Sequence, residues 1–226
     1  MASTTEIGLA KNVATRHVSF THDPLNFPIF ARMHKVLRHT GVTSVMQKKI
    51  ILDSNLLDIT LNRLCQQLIE NHNDFSETVI LGMQPRGIFL AELIQEKLEK
   101  ALKKEIALGY LDSTFHRDDF RRRDIPAKAS ETRVPFAIEG KKVVLIDDVL
   151  FTGRTVRAAL DAMIAFGRPS KVELLVLVDR KHTRDLPIAA DYVGKYVDTL
   201  TSQRVLVELE AQGHKQNKIW LIKKDE

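Results

Sequence analysis

Residues 143–155 read VVLIDDVLFTGRT, and this stretch decides the fold. It opens with an unbroken apolar run, Val143–Ile146, which is typical of a parallel strand buried on both faces. Two adjacent carboxylates, Asp147 and Asp148, follow where such a strand emerges from its sheet. The turn at 152–155 then leads into TVRAALDAMIAFG, whose apolar spacing is helical. The order predicts a strand, an acidic pair, a tight turn and a helix.

The Thr-Gly-Arg-Thr turn is suited to bind a phosphate group. Backbone N–H groups at the start of a helix lack intrahelical partners and lie at the positive end of the helix dipole. The two acids beside the turn suit a pair of vicinal hydroxyls or a bound Mg²⁺. Phosphate and diol together indicate a ribose 5-phosphate. A buried strand ending in a solvated turn would explain the acids alone, but not the whole order of motifs.

The stretch resembles the diphosphoribose-binding signature of the type I phosphoribosyltransferases. The resemblance extends to LGMQPRGIFLAE at 81–92, DSTFHRDD at 112–119, FGRP at 166–169 and LVDRKHTRDLPIAADYVGK at 177–195. Together these are similar to one subgroup, the bifunctional pyrimidine-operon regulators that are also uracil phosphoribosyltransferases. The resemblance covers the chain from about Met46 to its C-terminus. It implies the type I phosphoribosyltransferase fold, with a flexible-loop insertion that forms a hood.

The pattern of elements independently predicts an α/β domain with a central parallel sheet flanked by helices. Residues 56–69 are amphipathic, with leucines at 57, 61, 64 and 68 on one face. Strands are predicted at 78–83, 106–111 and 171–178, helices at 88–102 and 155–167, and a polar insertion at 112–137. Strand–helix alternation of this kind places ligands at the carboxyl ends of parallel strands.

The resemblance also implies the reaction and the residues that carry it. The enzyme is expected to be a pentosyltransferase that joins uracil to phosphoribosyl pyrophosphate, giving UMP and pyrophosphate. Asp147 and Asp148 are the expected catalytic acids, which hold the ribose hydroxyls and, indirectly, the Mg²⁺ of the pyrophosphate. Arg117 is expected to contact the leaving pyrophosphate from the hood. The expected substrate-binding residues are Arg86, Gly87, Thr152, Gly153, Arg154, Thr155, Val178, Asp179 and Arg180.

Phe151 separates two classes of base. Purine-salvage enzymes of the superfamily usually carry an Asp just before the Thr-Gly of the signature, placed to handle a purine ring proton. A phenyl ring can neither accept nor donate a proton, and the pyrimidine-operon regulators usually carry a Tyr there. Phe151 therefore favours uracil, which is expected to meet the loop at 178–180 largely through backbone groups. The sequence names no general base for uracil N1.

Regulation is a separate question. Family members that bind the leader of pyrimidine-operon mRNA use a hydroxyl residue and a His on the first helix, where this chain has Asn62 and Gln66. More than half of the net charge of +5 lies in residues 1–45, outside the matched region. Three hypotheses stay open: a uracil phosphoribosyltransferase with or without UMP-responsive regulation, an RNA-binding attenuator with little enzymatic activity, and a purine phosphoribosyltransferase.

The chain divides at Met46. Residues 1–45 show no clear periodicity and are expected to be an N-terminal extension, either a flexible arm or sequence upstream of the true start, while 46–226 form the phosphoribosyltransferase domain. No apolar run approaches the roughly 20 residues needed to span a membrane. A single cysteine, Cys65, cannot form an internal disulfide, which favours a reducing cytoplasm. The resemblance leads us to expect a homodimer or higher homo-oligomer.

We expect a chain that begins at Met46 to fold and to bind phosphoribosyl pyrophosphate as the full chain does, because every recognised motif lies after that residue. Thermal unfolding should give midpoints within about 3 °C of each other, which corresponds to roughly 1 kcal/mol. Calorimetric titration of both chains with phosphoribosyl pyrophosphate completes the comparison. Loss of solubility or binding in the shorter chain would make residues 1–45 part of the domain.

Overall fold

The computed structural model describes residues 47–118, 130–200 and 202–223. The predicted extension at 1–45 lies outside these ranges, as do residues 119–129 of the insertion. In chain order the elements are β1 (Gln47–Leu52), α1 (Ser54–His72), β2 (Thr78–Met83), α2 (Gly87–Leu102), β3 (Leu108–Leu111), β4 (Lys142–Leu150), α3 (Arg154–Met163), β5 (Lys171–Lys181), β6 (Tyr192–Asp198), β7 (Gln203–Glu208) and β8 (Lys218–Lys223).

The predicted central parallel sheet is confirmed. Five strands pair in the order β3-β2-β4-β5-β6, all in parallel. The signature strand β4 is central, and Val143–Ile146 is fully buried. Val144 and Ile146 pack in the cluster that includes α1 and α2, whereas Val143 and Leu145 pack in the cluster that includes α3. Burial on both faces explains why this run has no polar alternation.

The predicted helices also form. Helix α1 buries Leu57, Leu61, Leu64 and Leu68, the four leucines of the predicted apolar face, and Asp53 caps it by accepting a hydrogen bond from Leu56 N at 2.9 Å. Helix α3 ends at Met163, and a short 3₁₀ turn continues to Phe166 before Gly167, whose φ is +128°. The helical segment therefore stops at the predicted glycine.

Cys65 lies in the core, as its position on the apolar side of α1 predicts. Its thiol is free and buried, and burial raises its pKa to about 11. Such a thiol is protonated at neutral pH and acts as a packed apolar group. Among the helices that the structure describes, none has the length and apolar character to cross a membrane.

Two strand ends near the site differ from the sequence prediction, and strand β3 begins at Leu108 instead of residue 106. Strand β4 runs on to Leu150, so Asp147 and Asp148 lie inside it and not just beyond its end. Strand β5 runs on to Lys181, so the expected base-binding residues 178–180 lie in a strand and not in a loop. The reason is that β4 and β5 continue to pair with each other as far as Leu150 and Asp179, and that β5 pairs with β6 as far as Lys181.

Strand β2 does not follow this extension. Its register with β4 ends at the pair Gly82 and Ile146, one residue before the acids. The acid pair therefore lies where β4 has passed its β2 neighbour but still pairs with β5. This arrangement leaves the acids on a firmly held strand at the edge of the sheet where ligands bind.

A second sheet was not predicted from the sequence. Strands β1, β8 and β7 form an antiparallel sheet in that order. Val205, Val207 and Ile219 on one face join the core that contains α1 and α2. Charged side chains interrupt the apolar pattern of these strands, as in Gln47-Lys48-Lys49, and this weakened the signal in the sequence.

Candidate active site

The turn between β2 and α2 brings the start of that helix against the signature strand. A Cβ atom at Gly87 would lie 2.5 Å from the carbonyl oxygen of Ile146 and 3.0 Å from Cα of Asp147. Only glycine fits here without displacing backbone. The predicted site residue Gly87 is thus explained by close approach to β4, and this contact places Arg86 beside the acids.

Arg86 bonds directly to the acid pair. Its Nε donates a hydrogen bond to Oδ2 of Asp148 at 2.8 Å, and its Nη2 donates to the carbonyl oxygen of Val207 at 2.8 Å. The Asp148 side chain is nearly buried, whereas that of Arg86 keeps 37% of its exposed area. The guanidinium therefore joins strands β4 and β7 while part of it still faces solvent.

The two acids differ in their electrostatics. Burial, and secondly the neighbouring negative charge of Asp148, raise the pKa of Asp147 well above its ordinary value. Oδ1 of Asp147 accepts a hydrogen bond from the backbone N–H of Asp148 at 2.9 Å. Asp148 has the Arg86 guanidinium as its partner. One acid is thus compensated by a cation, and the other holds its proton more tightly than a free carboxylate.

The signature turn has the geometry of a phosphate-binding loop. Gly153, with φ of +89°, is the residue before the first turn of α3. Its carbonyl oxygen accepts the helical hydrogen bond from Arg157 N at 3.0 Å. Thr152 and Thr155 flank it, and the carbonyl oxygen of Thr152 accepts from Asp185 N at 3.0 Å. The start of α3 can therefore offer N–H groups to an anion.

Side chains of the insertion reach this turn. Nη1 of Arg117 donates to Oγ1 of Thr155 at 3.3 Å. Arg154 bonds to Asp118 through Nη1 and to Oδ2 of Asp185 through Nε at 3.0 Å. The Arg154 side chain thus joins the insertion to the segment after β5. Asp119, which the resemblance includes in the hood motif, lies outside the described residues.

One carboxylate, that of Asp112, connects the two described ends of the insertion. Asp112 accepts hydrogen bonds from Thr114 N at 2.9 Å and from Ser130 N at 2.8 Å. Tyr110 and Arg133 form a backbone bridge next to it. These contacts hold the described ends of the insertion together, and Arg117, which follows the first of them, bonds to Thr155 of α3.

Residues 178–180 at the end of β5 have mostly internal contacts. Val178 is fully buried, and Asp179 forms an ion pair with Arg184. Arg180 lies with its guanidinium carbon 3.9 Å from the ring centroid of Phe151. Its carbonyl oxygen accepts hydrogen bonds from Thr183 Oγ1 at 3.0 Å and from Arg184 Nη1 at 3.2 Å.

Arg184 is a site residue that sequence reasoning missed. Besides Asp179, it donates hydrogen bonds to the carbonyl oxygens of Phe151 and, at 3.0 Å, of Ile188. It therefore fastens the signature turn to the segment after β5. The sequence contained it in the matched motif at 177–195, but its acceptors are backbone oxygens that no side-chain pattern reveals.

The donor set fits a metal that is shared with a ligand better than a resident one. Within the described ranges, no group of three or more His, Cys, Asp or Glu side chains converges on one point. Two adjacent carboxylates suit Mg²⁺ that keeps several waters and takes its other ligands from substrate phosphates. Asp147 and Asp148 are the residues that would meet such an ion.

Comparison with known proteins supports one family. The phosphoribosyl transferase domain profile matches residues 47–212. The bifunctional protein pyrR of Enterococcus faecalis (strain ATCC 47077 / OG1RF) is 43% identical over 165 residues, which cover 73% of this chain and 92% of that protein. Bifunctional protein PyrR of Geobacter sp. (strain M21) is 44% identical over 162 residues, covering 72% and 91%.

Solved structures show the same fold at low identity. The hypoxanthine phosphoribosyltransferase of Trypanosoma cruzi superposes with a TM-score of 0.60 at 13% identity, covering 78% of this chain and 97% of that one. A hypoxanthine-guanine phosphoribosyltransferase of Bacillus anthracis gives 0.55 at 13% identity, covering 80% and 99%. At this identity the likeness concerns the fold alone.

Proposed function

This chain belongs to the phosphoribosyltransferase family and, within it, to the bifunctional PyrR proteins, and from that premise we propose how its site works. It is a pentosyltransferase that transfers ribose 5-phosphate from phosphoribosyl pyrophosphate to uracil, giving UMP and pyrophosphate. The observation that carries the proposal is the convergence of three motifs. The Arg86 guanidinium bonds to Asp148, and both acids lie on the strand that leads directly into the 152–155 turn.

Each motif takes one part of the sugar phosphate. The backbone N–H groups at the start of α3 bind the 5-phosphate, with Thr152 and Thr155 as additional donors. Asp147 and Asp148 bind the two ribose hydroxyls. A carboxyl with a raised pKa can donate a hydrogen bond as well as accept one, so the pair matches a diol, which also does both.

The chemistry requires positioning and charge stabilisation. Displacement at the anomeric carbon passes through an oxocarbenium-like state, and the negative charge of Asp148 lies on the side of the ribose hydroxyls. Arg86 supplies the opposite charge for the pyrophosphate. Without ligand it neutralises Asp148, and with ligand its planar guanidinium turns to the phosphate oxygens, which it can chelate in pairs. Bound Mg²⁺ neutralises charge on the pyrophosphate.

The insertion completes the site. Arg117 already bonds to Thr155 of the phosphate turn, so a short movement brings its guanidinium to the leaving pyrophosphate. A hood that closes in this way excludes water, which strengthens every charge interaction beneath it and prevents hydrolysis of the activated sugar.

The choice of uracil depends on Phe151. The residue precedes the phosphate turn and presents a phenyl ring that is 40% exposed. A phenyl ring cannot exchange a proton with a purine ring nitrogen, which the purine hypothesis requires at this position. It can stack on a base of either size, so the lack of a proton-exchanging group at this position, and not the volume of the ring, favours uracil.

We place the enzyme in the cytoplasm as a homodimer or higher homo-oligomer. A free, buried Cys65 agrees with a reducing compartment. Size-exclusion chromatography with light scattering measures the assembly directly.

The substrate is tested by product detection with labelled phosphoribosyl pyrophosphate, Mg²⁺ and one base at a time. We expect UMP from uracil, and a kcat/KM with hypoxanthine or guanine that is lower by about 10²-fold or more. Formation of IMP or GMP at a rate similar to that of UMP would establish the purine hypothesis instead. Absence of product with all three bases, but tight binding of UMP, would indicate a nucleotide sensor.

The acid pair is tested by a double variant, Asp147→Asn with Asp148→Asn. Loss of both negative charges should lower kcat/KM by about 10²-fold or more, because the diol and the developing positive charge lose their partners. The matched control is Asp58→Asn with Asp161→Asn, which removes two charges from surface ion pairs with Lys97 and Arg157. Transfer at nearly the normal rate in the site variant would remove the acids from the mechanism.

Regulation of pyrimidine-operon mRNA is the second candidate function. It is favoured by the relatives, which are named bifunctional proteins. The first helix differs from the expected RNA-binding pattern, however. Asn62 accepts a hydrogen bond from Lys97 Nζ at 2.8 Å and donates one to Asp58 at 3.0 Å, so it is held in a local network, while Gln66 is exposed. Any RNA contact by α1 therefore involves different partners from those of the family pattern.

We expect RNA binding to be electrostatic and responsive to UMP. The affinity for a pyrimidine-operon leader hairpin should fall with salt, with a slope of log K against log salt of about −0.7 to −0.9 per phosphate neutralised. By reciprocity, the leader should change the affinity for UMP by the same factor as UMP changes that for the leader. Titrations at two salt concentrations, with and without UMP, include an unrelated hairpin as control. If both hairpins bind with equal affinity and UMP does not change that affinity, the protein has no regulatory role and is a salvage enzyme only.

A further inference from the structure

Arg180 is a buried cation that pairs with no carboxylate among the described residues. The residue is only 6% exposed, and burial lowers its pKa. Its guanidinium donates hydrogen bonds to neutral oxygens between the end of β6 and the start of β7, namely Thr199 Oγ1 at 2.9 Å, Gln203 O at 2.9 Å and Leu200 O at 3.4 Å. In the part of the chain that the structure describes, no acidic side chain pairs with it, in contrast to Arg86 and Arg184.

The contacts of Arg180 hold its charge against Phe151. Hydrogen bonds at the edge of the guanidinium fix its plane, and its central carbon lies 3.9 Å from the centroid of the Phe151 ring. A cation over an aromatic face at this distance is attracted by the ring quadrupole. Because Arg180 covers one face, the 40% exposure of Phe151 belongs to the opposite face and the ring edge.

The open side of Phe151 belongs to the nucleotide site. Phe151 directly precedes the phosphate turn, and Arg184 and Asp185 bind its carbonyl oxygen and that of Thr152. A ribose held through its 5-phosphate at this turn and through its hydroxyls at Asp147 therefore carries its base beside the ring.

We propose that the base stacks on the open face of Phe151 and that Arg180, behind the ring, stabilises the negative charge that the base acquires as it reacts. This inference rests on the proposed transferase function. Uracil first loses its N1 proton to solvent water before the hood closes. N1 then forms the bond to C1′ of the ribose, and the bond from C1′ to the pyrophosphate oxygen breaks with its electron pair. Charge on the base rises before the new bond is complete.

The sequence identifies no general base for uracil N1, and a nearby cation lowers the need for one because it stabilises the anion of the base. Arg180 cannot accept a proton, since a guanidinium stays protonated and has no acceptor atom. Arg180 acts through Phe151 and is thus a positioning residue. Its positive charge favours bases that react as ring-nitrogen anions. A full charge about 7 Å from the guanidinium, at an effective dielectric constant of about 20, gains roughly fiftyfold in rate, and a partial charge about tenfold.

The test compares Arg180→Met with Lys181→Met in the full chain. Lys181 is the matched control, because it is the next residue of the same strand and its Nζ lies over another exposed ring, that of Tyr196, at 5.3 Å. We expect Arg180→Met to lower kcat/KM for uracil about tenfold and Lys181→Met to leave it unchanged. With 5-fluorouracil, whose electron-withdrawing substituent makes N1 more acidic, the Arg180→Met rate should recover most of the loss.

The dependence on base acidity separates an electrostatic role from a structural one. Equal loss with uracil and 5-fluorouracil would overturn the inference, and so would equal effects of the two Met variants. If Arg180→Met does not fold, Phe151→Leu serves in its place, since it leaves the cation but removes the ring. It should raise the KM for uracil and leave the affinity for phosphoribosyl pyrophosphate within about twofold, and an unchanged KM would overturn the stacking. A wild type that makes no UMP would refute the proposed function itself.

Discussion

The ion pair between Arg86 and Asp148 is the interaction on which the rest of the site depends. One guanidinium bonds to the signature strand β4 and to the carbonyl oxygen of Val207 in the antiparallel sheet. It reaches both because Gly87 lets the start of α2 touch the backbone of β4. The pair also lets two adjacent acids share a small, partly buried space, since a cation compensates one of them and the other has a raised pKa. The contacts that hold the strands together and the proposed contact with the pyrophosphate thus use the same guanidinium.

The parts of the fold that the sequence predicted are those with a strong local pattern. Unbroken apolar runs gave β2 and the centre of β4, and the leucine spacing gave α1. The ends of β4 and β5 were placed too early, because polar residues such as Asp147 and Asp179 look like the start of a loop. Their strands continue through pairing with each other, which is a tertiary property. The antiparallel sheet was missed for a related reason, since only one of its faces meets the core.

The candidate site was predictable to the extent that its chemistry lies in contiguous motifs. The acid pair, the phosphate turn and Arg86 could each be named from the sequence. The structure joins Arg86 to Asp148 and places both acids on the strand that leads into the turn. The cations that organise the site could not be ranked in this way. Arg184 acts on backbone oxygens, Arg154 joins two acids distant in sequence, and Arg180 is distinguished by the kind of partner it lacks. All three have the same side chain, so only the partners that surround each guanidinium distinguish the three roles.

The bridge from Asp118 through Arg154 to Asp185 has a consequence for the order of events in a catalytic cycle. It connects Asp118 of the insertion, which in the proposed mechanism covers the pyrophosphate, to Asp185 after β5, which in the same proposal lies on the side of the base. If the insertion swings open, Asp118 leaves, and Asp185 alone must balance the guanidinium. In the proposed mechanism the two halves of the site therefore do not open independently, and the departure of one product would change how tightly the other is bound. Such linkage favours an ordered sequence, in which sugar phosphate and base enter in turn and leave in turn.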